Sequence, residues 1–182
     1  MSESEKPSRP PLVLVANDQE WSARSLESIL GPNGYAVLRA YTGRQTIDLA
    51  RSARPDVIIL DLRLPDIDGL DVCRTLREDA RLPVHTPIIV TNSGPSDRAQ
   101  VLAAYKAGAW EYCSQPYDGE LLLLKLESFV RAKLELDRVR AFINRRSIQY
   151  ESQLDNVTLG QILPFVKCMS GVLTGVLLHC LK

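Results

Sequence analysis

The apolar run Val57-Ile-Ile-Leu60 ends on a carboxylate, Asp61, followed by Leu62-Arg63-Leu64-Pro65-Asp66-Ile67-Asp68-Gly69. A run with no polar residue reads as a strand buried on both faces, as in parallel sheets. A single charge at its C-terminal end, before a loop punctuated by Pro and Gly, sits where open α/β sheets place their ligand sites. A carboxylate so placed could act as a nucleophile. Three other strand ends offer polar partners: Asn17-Asp18, Thr91 and Gln115-Pro116.

Short apolar runs alternate with helical patterns along the chain. Strands are predicted at Leu12 to Ala16, Tyr35 to Ala40, Val57 to Leu60, Pro87 to Val90 and Trp110 to Cys113. Helices are predicted between them. Glu20 to Leu30 carries Trp21, Leu26, Ile29 and Leu30 as its apolar set. Arg44 to Ser52 carries Ile47, Leu49 and Ala50, and Leu70 to Glu78 carries Leu70, Cys73 and Leu76. Arg98 to Lys106 is opened by Pro95-Ser-Asp97 and stopped by Gly108, as a C-terminal glycine should. A last helix is expected from Tyr117 onward. Five strand–helix repeats imply right-handed crossovers and a doubly wound parallel α/β sheet.

Bulk composition narrows the function classes. The 182 residues carry 22 Lys plus Arg and 22 Asp plus Glu, so no global basic field favours nucleic acid. Residues 1–10 have no apolar core, cannot be a secretory signal and read as a disordered lead-in. Cys73, Cys113, Cys168 and Cys180 lack C-x-x-C spacing, so buried thiols in a reducing cytoplasm are expected rather than a disulfide framework. The first strand leads into Asn17-Asp-Gln-Glu20 with no glycine-rich phosphate loop, which argues against a nucleotide- or flavin-binding enzyme.

The last helix is too long for one domain. Leu122, Phe129, Leu136, Ile143 and Tyr150 recur every seven residues, and Leu126, Ala132, Val139 and Leu154 partly fill a companion seam. That is a two-helix contact pattern, spoiled in places by Lys133, Arg140, Arg145 and Arg146. The reading is a helix that packs on its own sheet to about Ala132 and continues from 133 to 154 as a coiled-coil extension that dimerises. The basic run reads as a solvated face rather than a nucleic-acid contact. Residues 155–182 form a short apolar tail or the start of an output module, with a capping box at Thr158-Leu-Gly-Gln161. Ile162 to Leu181 is marginal in length and interrupted by Pro164, Lys167 and His179. Burial against a partner or a missing domain is therefore expected, not a membrane span.

Together these strand ends make residues from about Leu12 to Ala132 resemble the receiver domain of two-component response regulators. The resemblance implies a CheY-like, flavodoxin-like five-stranded sheet of order 2-1-3-4-5, assigned to residues 11–132. It implies that Asp61 accepts a phosphoryl group from a histidine kinase, a phosphotransfer protein or a small phosphodonor. It further implies Mg²⁺, with Asp18 and Asp61 as carboxylate ligands, the backbone carbonyl of Arg63 as a third, and Asn17 acting through water. Thr91 matches the hydroxyl that bonds a phosphoryl oxygen, and Tyr112 the aromatic that changes rotamer with it. A cytoplasmic phosphoacceptor, rather than an enzyme, is expected, relaying its state to a downstream protein or output domain.

Two positions depart from that family's pattern. Asn17 stands where the first of two adjacent acids is usual, and Gln115 where a lysine precedes the proline of the fifth-strand loop. A usual pocket balances three acids with one lysine. This one has two acids and two neutral amides, so the net charge is unchanged and metal binding is still expected. Gln115 donates without charge, and charged hydrogen bonds are about twice as strong, so slower transfer and a weaker link to Thr91 and Tyr112 are expected. The family's cis geometry is expected at Gln115–Pro116. The two departures also admit a second reading, a protein-interaction module whose pocket no longer uses phosphate.

Overall fold

The computed structural model describes residues 9–94 and 97–155, with side chains to 145. The lead-in at 1–8, Pro95 and Ser96, the side chain of Tyr150, the capping box at Thr158 and the tail beyond 155 lie outside the described residues. Five strands and five helices alternate: β1 (Leu12–Ala16), α1 (Glu20–Leu30), β2 (Ala36–Ala40), α2 (Gly43–Ala53), β3 (Val57–Asp61), α3 (Gly69–Glu78), β4 (Ile88–Asn92), α4 (Arg98–Lys106), β5 (Glu111–Ser114) and α5 (Gly119–Asp155). The strands form one parallel sheet in the order β2-β1-β3-β4-β5. This is the flavodoxin-like order.

The strand period of two explains the layering. Leu14, Ile58, Leu60, Ile88 and Val90 face a core shared with Ile47 of α2, Val72, Cys73 and Leu76 of α3, and Ala104 of α4. Their neighbours Val13, Val15, Val57, Ile59 and Ile89 face a second core with Ala23, Leu26 and Leu30 of α1 and Leu122, Leu126 and Val130 of α5. All five residues of β3 and of β4 are buried, as expected for central strands covered on both faces.

Short polar residues cap the helices at the strand-to-helix turns. Thr42 accepts from Gln45 N, Asp68 from Leu70 N and Asp97 from Ala99 N. Gly108, with φ +97°, follows α4, and its missing Cβ would stand 2.7 Å from Arg77 Cγ. That space lets the Arg77 guanidinium reach the carbonyls of Gly108, Val84 and Thr86.

Several boundaries differ from the sequence reading. Trp21, counted in the apolar set of α1, is 66% exposed, because Ala23, Leu26 and Leu30 already fill the buried stripe. Tyr117 does not begin α5. The helix starts at Gly119, where the Asp118 carboxylate accepts from Leu121 N, and Tyr117 is left in the loop. Trp110 precedes β5 and meets Phe129 edge to face, with ring centroids 5.7 Å apart. β4 runs on through Asn92, so Thr91 lies inside it rather than just past its end.

The chain divides into two units, Met1–Leu136 and Asp137–Lys182. In the first, α5 makes its last deep contact through charge. Lys133 Nζ lies 3.2 Å from Asp56 Oδ1 with both side chains only 8% exposed. Asp56 also accepts from Leu12 N at 2.9 Å and faces Arg9. Among the heptad positions, Leu122 is buried and Phe129 packs against the second core, whereas Leu136 is exposed. In the second unit Val139 and Ile143 are exposed. Among the described residues no helix is long and apolar enough to cross a membrane.

Two outcomes follow for stability. Removing one partner of a buried ion pair strands the other, so Lys133→Ala should cost about 3 kcal/mol, measured by urea unfolding. A loss under about 0.5 kcal/mol would count against that pairing. Asp79, after α3, is held well below the ordinary carboxylate range chiefly by its bond from Arg51, then by the Arg81 backbone and side chain. Its stabilisation is present above its unfolded value of about 3.9 and fades as pH falls toward the depressed folded value. Asp79→Asn should therefore lower the melting temperature at neutral pH and flatten its fall below about pH 4. Parallel acid limbs for variant and parent would refute this.

Candidate functional site

The C-terminal ends of β1, β3, β4 and β5 meet at Asp61, which is 2% exposed. The sheet's hydrogen bonding continues past the strand ends and sets the site's backbone. Asn17 N donates to Ala40 O at 3.0 Å, Leu62 N to Thr91 O at 2.9 Å and Gln115 N to Asn92 O at 2.9 Å. Asp61 and Thr91 are register partners.

Each oxygen of Asp61 is met by N–H donors. Oδ1 accepts from Arg63 N at 2.8 Å. Oδ2 accepts from Asn17 Nδ2 at 2.9 Å and, more loosely, from Gln115 Nε2 at 3.4 Å. Asn17 is itself 3% exposed, with Oδ1 accepting from Gln19 N at 2.8 Å and Nδ2 reaching Ser22 Oγ at 3.3 Å. Burial pushes the Asp61 carboxyl above its ordinary value. The Arg63 N–H and guanidinium pull it down, and the Asp18 charge pushes it up further. Asp18 is on the exposed rim. Two carboxylates are thus close enough to feel one another, which suits a site that takes a divalent counter-charge.

Gly69 fixes the floor of this arrangement. A Cβ there would stand 2.3 Å from the Asp61 carbonyl oxygen and 2.7 Å from Leu62 Cα. Its N–H donates to Leu62 O at 2.8 Å, so the start of α3 lies directly against the strand end. Only a residue without a side chain permits that approach.

The sequence-selected residues are therefore mostly brought together. Asp61, Asn17, Gln115 and the Arg63 backbone are in direct hydrogen-bond contact, Thr91 is alongside, and Asp18 acts through its charge. Tyr112 stands apart in the core, 9% exposed, with its hydroxyl buried and without a partner among the described residues. Gln115–Pro116 is cis, as expected. Asn17, expected to act on a metal through water, here turns its donor end to Asp61.

Three contributors were missed in the sequence. Tyr117 places its hydroxyl 2.8 Å from Gln115 Nε2 and bonds Thr91. Burial raises its phenol, and the Asp61 charge adds to that rise. The capping signal of Asp118 before Gly119 would have left Tyr117 in the loop. Arg63, expected to act through its backbone carbonyl, also donates from its guanidinium to Ser93 O and Oγ, both at 2.9 Å, and brings a positive charge near Asp61. Ser22, a polar residue buried on α1, had no periodic signal to single it out. A groove of about 380 Å³ lies beside the site, lined by Trp21, Ser22, Ser25, Ile29, Ser93, Gln115, Pro116 and Tyr117.

Known proteins share the fold that carries these residues. Residues 13–127 match the family model described as the response regulator receiver domain. The response regulator MprA of Mycolicibacterium vanbaalenii is 38% identical over 122 residues, 67% of this chain and 51% of its own length. The response regulator PleD of Caulobacter vibrioides is 34% identical over 130 residues, 70% of this chain and 28% of its own length. The chain thus spans about half the length of the first relative and less of the second. Among solved structures, a putative response regulator from Chloroflexus aurantiacus superposes with a TM-score of 0.64 at 28% identity. The match covers 68% of this chain and 99% of that one.

The Gly69 contact yields a direct test. Gly69→Ala should force α3 off the strand end, at a cost of about 3 kcal/mol, and shift the backbone resonances of Asp61 and Leu62. Unmoved resonances with near-parental stability would show that the loop yields freely.

Proposed function

The chain belongs to the response regulator receiver domain family, and on that premise we propose that Asp61 accepts a phosphoryl group in a Mg²⁺-dependent reaction. The observation that supports this is the position of the Asp61 carboxylate at the C-terminal end of β3, with Asp18 and Thr91 beside it. An Asp61 oxygen attacks the donor's phosphorus in line. The bond from phosphorus to the donor's nitrogen or acyl oxygen breaks, and its electron pair leaves with the donor. A bound Mg²⁺ would supply counter-charge for the negative oxygens of the transferring group. Asp18, Asp61 and the Arg63 carbonyl would hold it, oxygen donors of the kind a hard cation takes, with waters completing its shell.

Thr91 and Gln115 serve as donors to the phosphoryl oxygens. Gln115 brings no charge, and the nearby Arg63 guanidinium makes up part of that loss. Tyr112 is the switch aromatic. Its buried hydroxyl has no partner among the described residues, and an unsatisfied buried hydroxyl costs about 1–3 kcal/mol, so no polar bond from them holds the inward ring. The output face comprises α4, β5 and α5, cross-linked by Glu111. That carboxylate takes Tyr105 OH at 3.3 Å from α4 and faces Lys125 Nζ at 3.3 Å on α5. Leu102, Leu121 and Leu124 are exposed.

Upstream, a histidine kinase or phosphotransfer protein donates the group. Downstream, a protein partner or output domain reads the α4-β5-α5 face. The exposed heptad positions Leu136 and Ile143, with Val139, support homodimerisation through the C-terminal helix. The chain is a cytoplasmic phosphoacceptor that catalyses at most its own phosphorylation and dephosphorylation, with no membrane or nucleic-acid partner.

A second reading, a phosphate-independent interaction module, is favoured by one observation: amide donors from Asn17 and Gln115 already occupy Asp61 Oδ2. One experiment separates the two. Incubated with acetyl phosphate and Mg²⁺, the protein should gain the mass of one phosphoryl group, slowly in the parent, faster in Gln115→Lys and not at all in Asp61→Ala. No gain in the parent or in Gln115→Lys would favour the interaction module.

A further inference from the structure

We infer that Asn17 is a resident donor to Asp61 that a divalent cation must displace, so that this residue lowers the pocket's metal affinity and makes occupancy depend on magnesium concentration. This deepens the phosphoacceptor reading above and rests on it. The Asn17 amide has one acceptor atom and two N–H donors, and its surroundings use all three. Oδ1 takes Gln19 N at 2.8 Å. Nδ2 gives one hydrogen to Asp61 Oδ2 at 2.9 Å and the other toward Ser22 Oγ at 3.3 Å.

The orientation is dictated by those neighbours. Turned over, the amide would set Oδ1 against the Asp61 carboxylate and Nδ2 against the Gln19 N–H, one repulsion between acceptors and one between donors. The side chain is 3% exposed, so water cannot readily take over either role. A hydrogen bond to a buried carboxylate is of the stronger, charge-assisted kind. A cation approaching Asp61 Oδ2 therefore meets amide hydrogens of partial positive charge. Whatever bonds it breaks there are subtracted from its binding free energy. An acid at this position would act in the opposite sense, adding negative charge toward the metal.

The test turns on sign. If Asn17 helps to hold the metal through water, deleting its side chain weakens binding. If it competes, deletion strengthens binding. Asn17→Ala and Asn17→Ser are titrated with magnesium chloride by calorimetry. The Ser variant keeps an oxygen for Gln19 N, and melting curves of both check the fold. In the parent, the Asn17 side-chain ¹⁵N–H₂ resonances should move as magnesium is added. Both variants should bind Mg²⁺ about tenfold more tightly than the parent, a difference of ~1.4 kcal/mol. Equal or weaker binding in both would overturn the inference. Beryllofluoride uptake by the parent at saturating magnesium, followed by ¹⁹F resonance, would then leave the phosphoacceptor reading standing. If parent and variants alike take neither magnesium nor beryllofluoride, that reading falls and the Asn17 inference falls with it.

Discussion

A negative charge buried at the end of a central strand is the constraint around which this site is built. Removing a carboxylate from water is expensive unless hydrogen bonds or opposite charge replace the water. Here the replacement comes from N–H groups: the Arg63 backbone on one oxygen, and two side-chain amides on the other. The rest of the architecture serves to deliver those groups. The parallel ladder carries Asn17, Leu62 and Gln115 one step beyond their strands at fixed height. The Gly69 contact brings α3 close enough to close the pocket's floor. Burial still outweighs the donors, because the Asp61 carboxyl remains easier to protonate than in water.

Two amides at positions where the family usually has an acid and a lysine look neutral when charges are simply added. Their geometry shows more. Both present donors to the same atom, Asp61 Oδ2, so the pair acts as a weak cationic cradle made from dipoles. The Arg63 guanidinium, tethered to Ser93, adds a full charge from the next loop. The pocket is therefore less depleted of positive potential than residue types alone suggest. Its electrostatic balance is distributed over loops after three different strands.

Much of this was legible in the sequence. The apolar runs named β1, β3 and β4, because strands covered on both faces leave no room for polar interruption, while the edge strands β2 and β5 were legible despite Arg39 and Glu111. The order of the strand ends named Asp61, Thr91 and Gln115. What failed had local causes. Trp21 shared helical spacing with Leu26 and Leu30, yet a two-layer contact needs only a narrow stripe, and Trp21 fell outside it. Tyr117 reads as the start of a helix, but the Asp118 cap opens that helix at Gly119 and leaves the Tyr117 hydroxyl free to meet Gln115. Which end of an amide faces a carboxylate cannot be read from residue type at all. It is decided by the Gln19 N–H on the far side of Asn17.

The alternation of side chains splits the interior into two apolar compartments separated by the sheet. On β5 the divide falls between neighbours: Tyr112 belongs to the compartment of α2, α3 and α4, while Cys113 belongs with α1 and α5. A turn of the Tyr112 ring therefore takes place in a different compartment from the α5 anchors Leu126 and Val130. News of it can travel through the backbone of an outermost strand only four residues long, or around its rim by way of Glu111 and the cavity that Tyr112 shares with Leu121 and Leu122. The stiffness of that short strand then sets how much of any motion on one side is heard on the other.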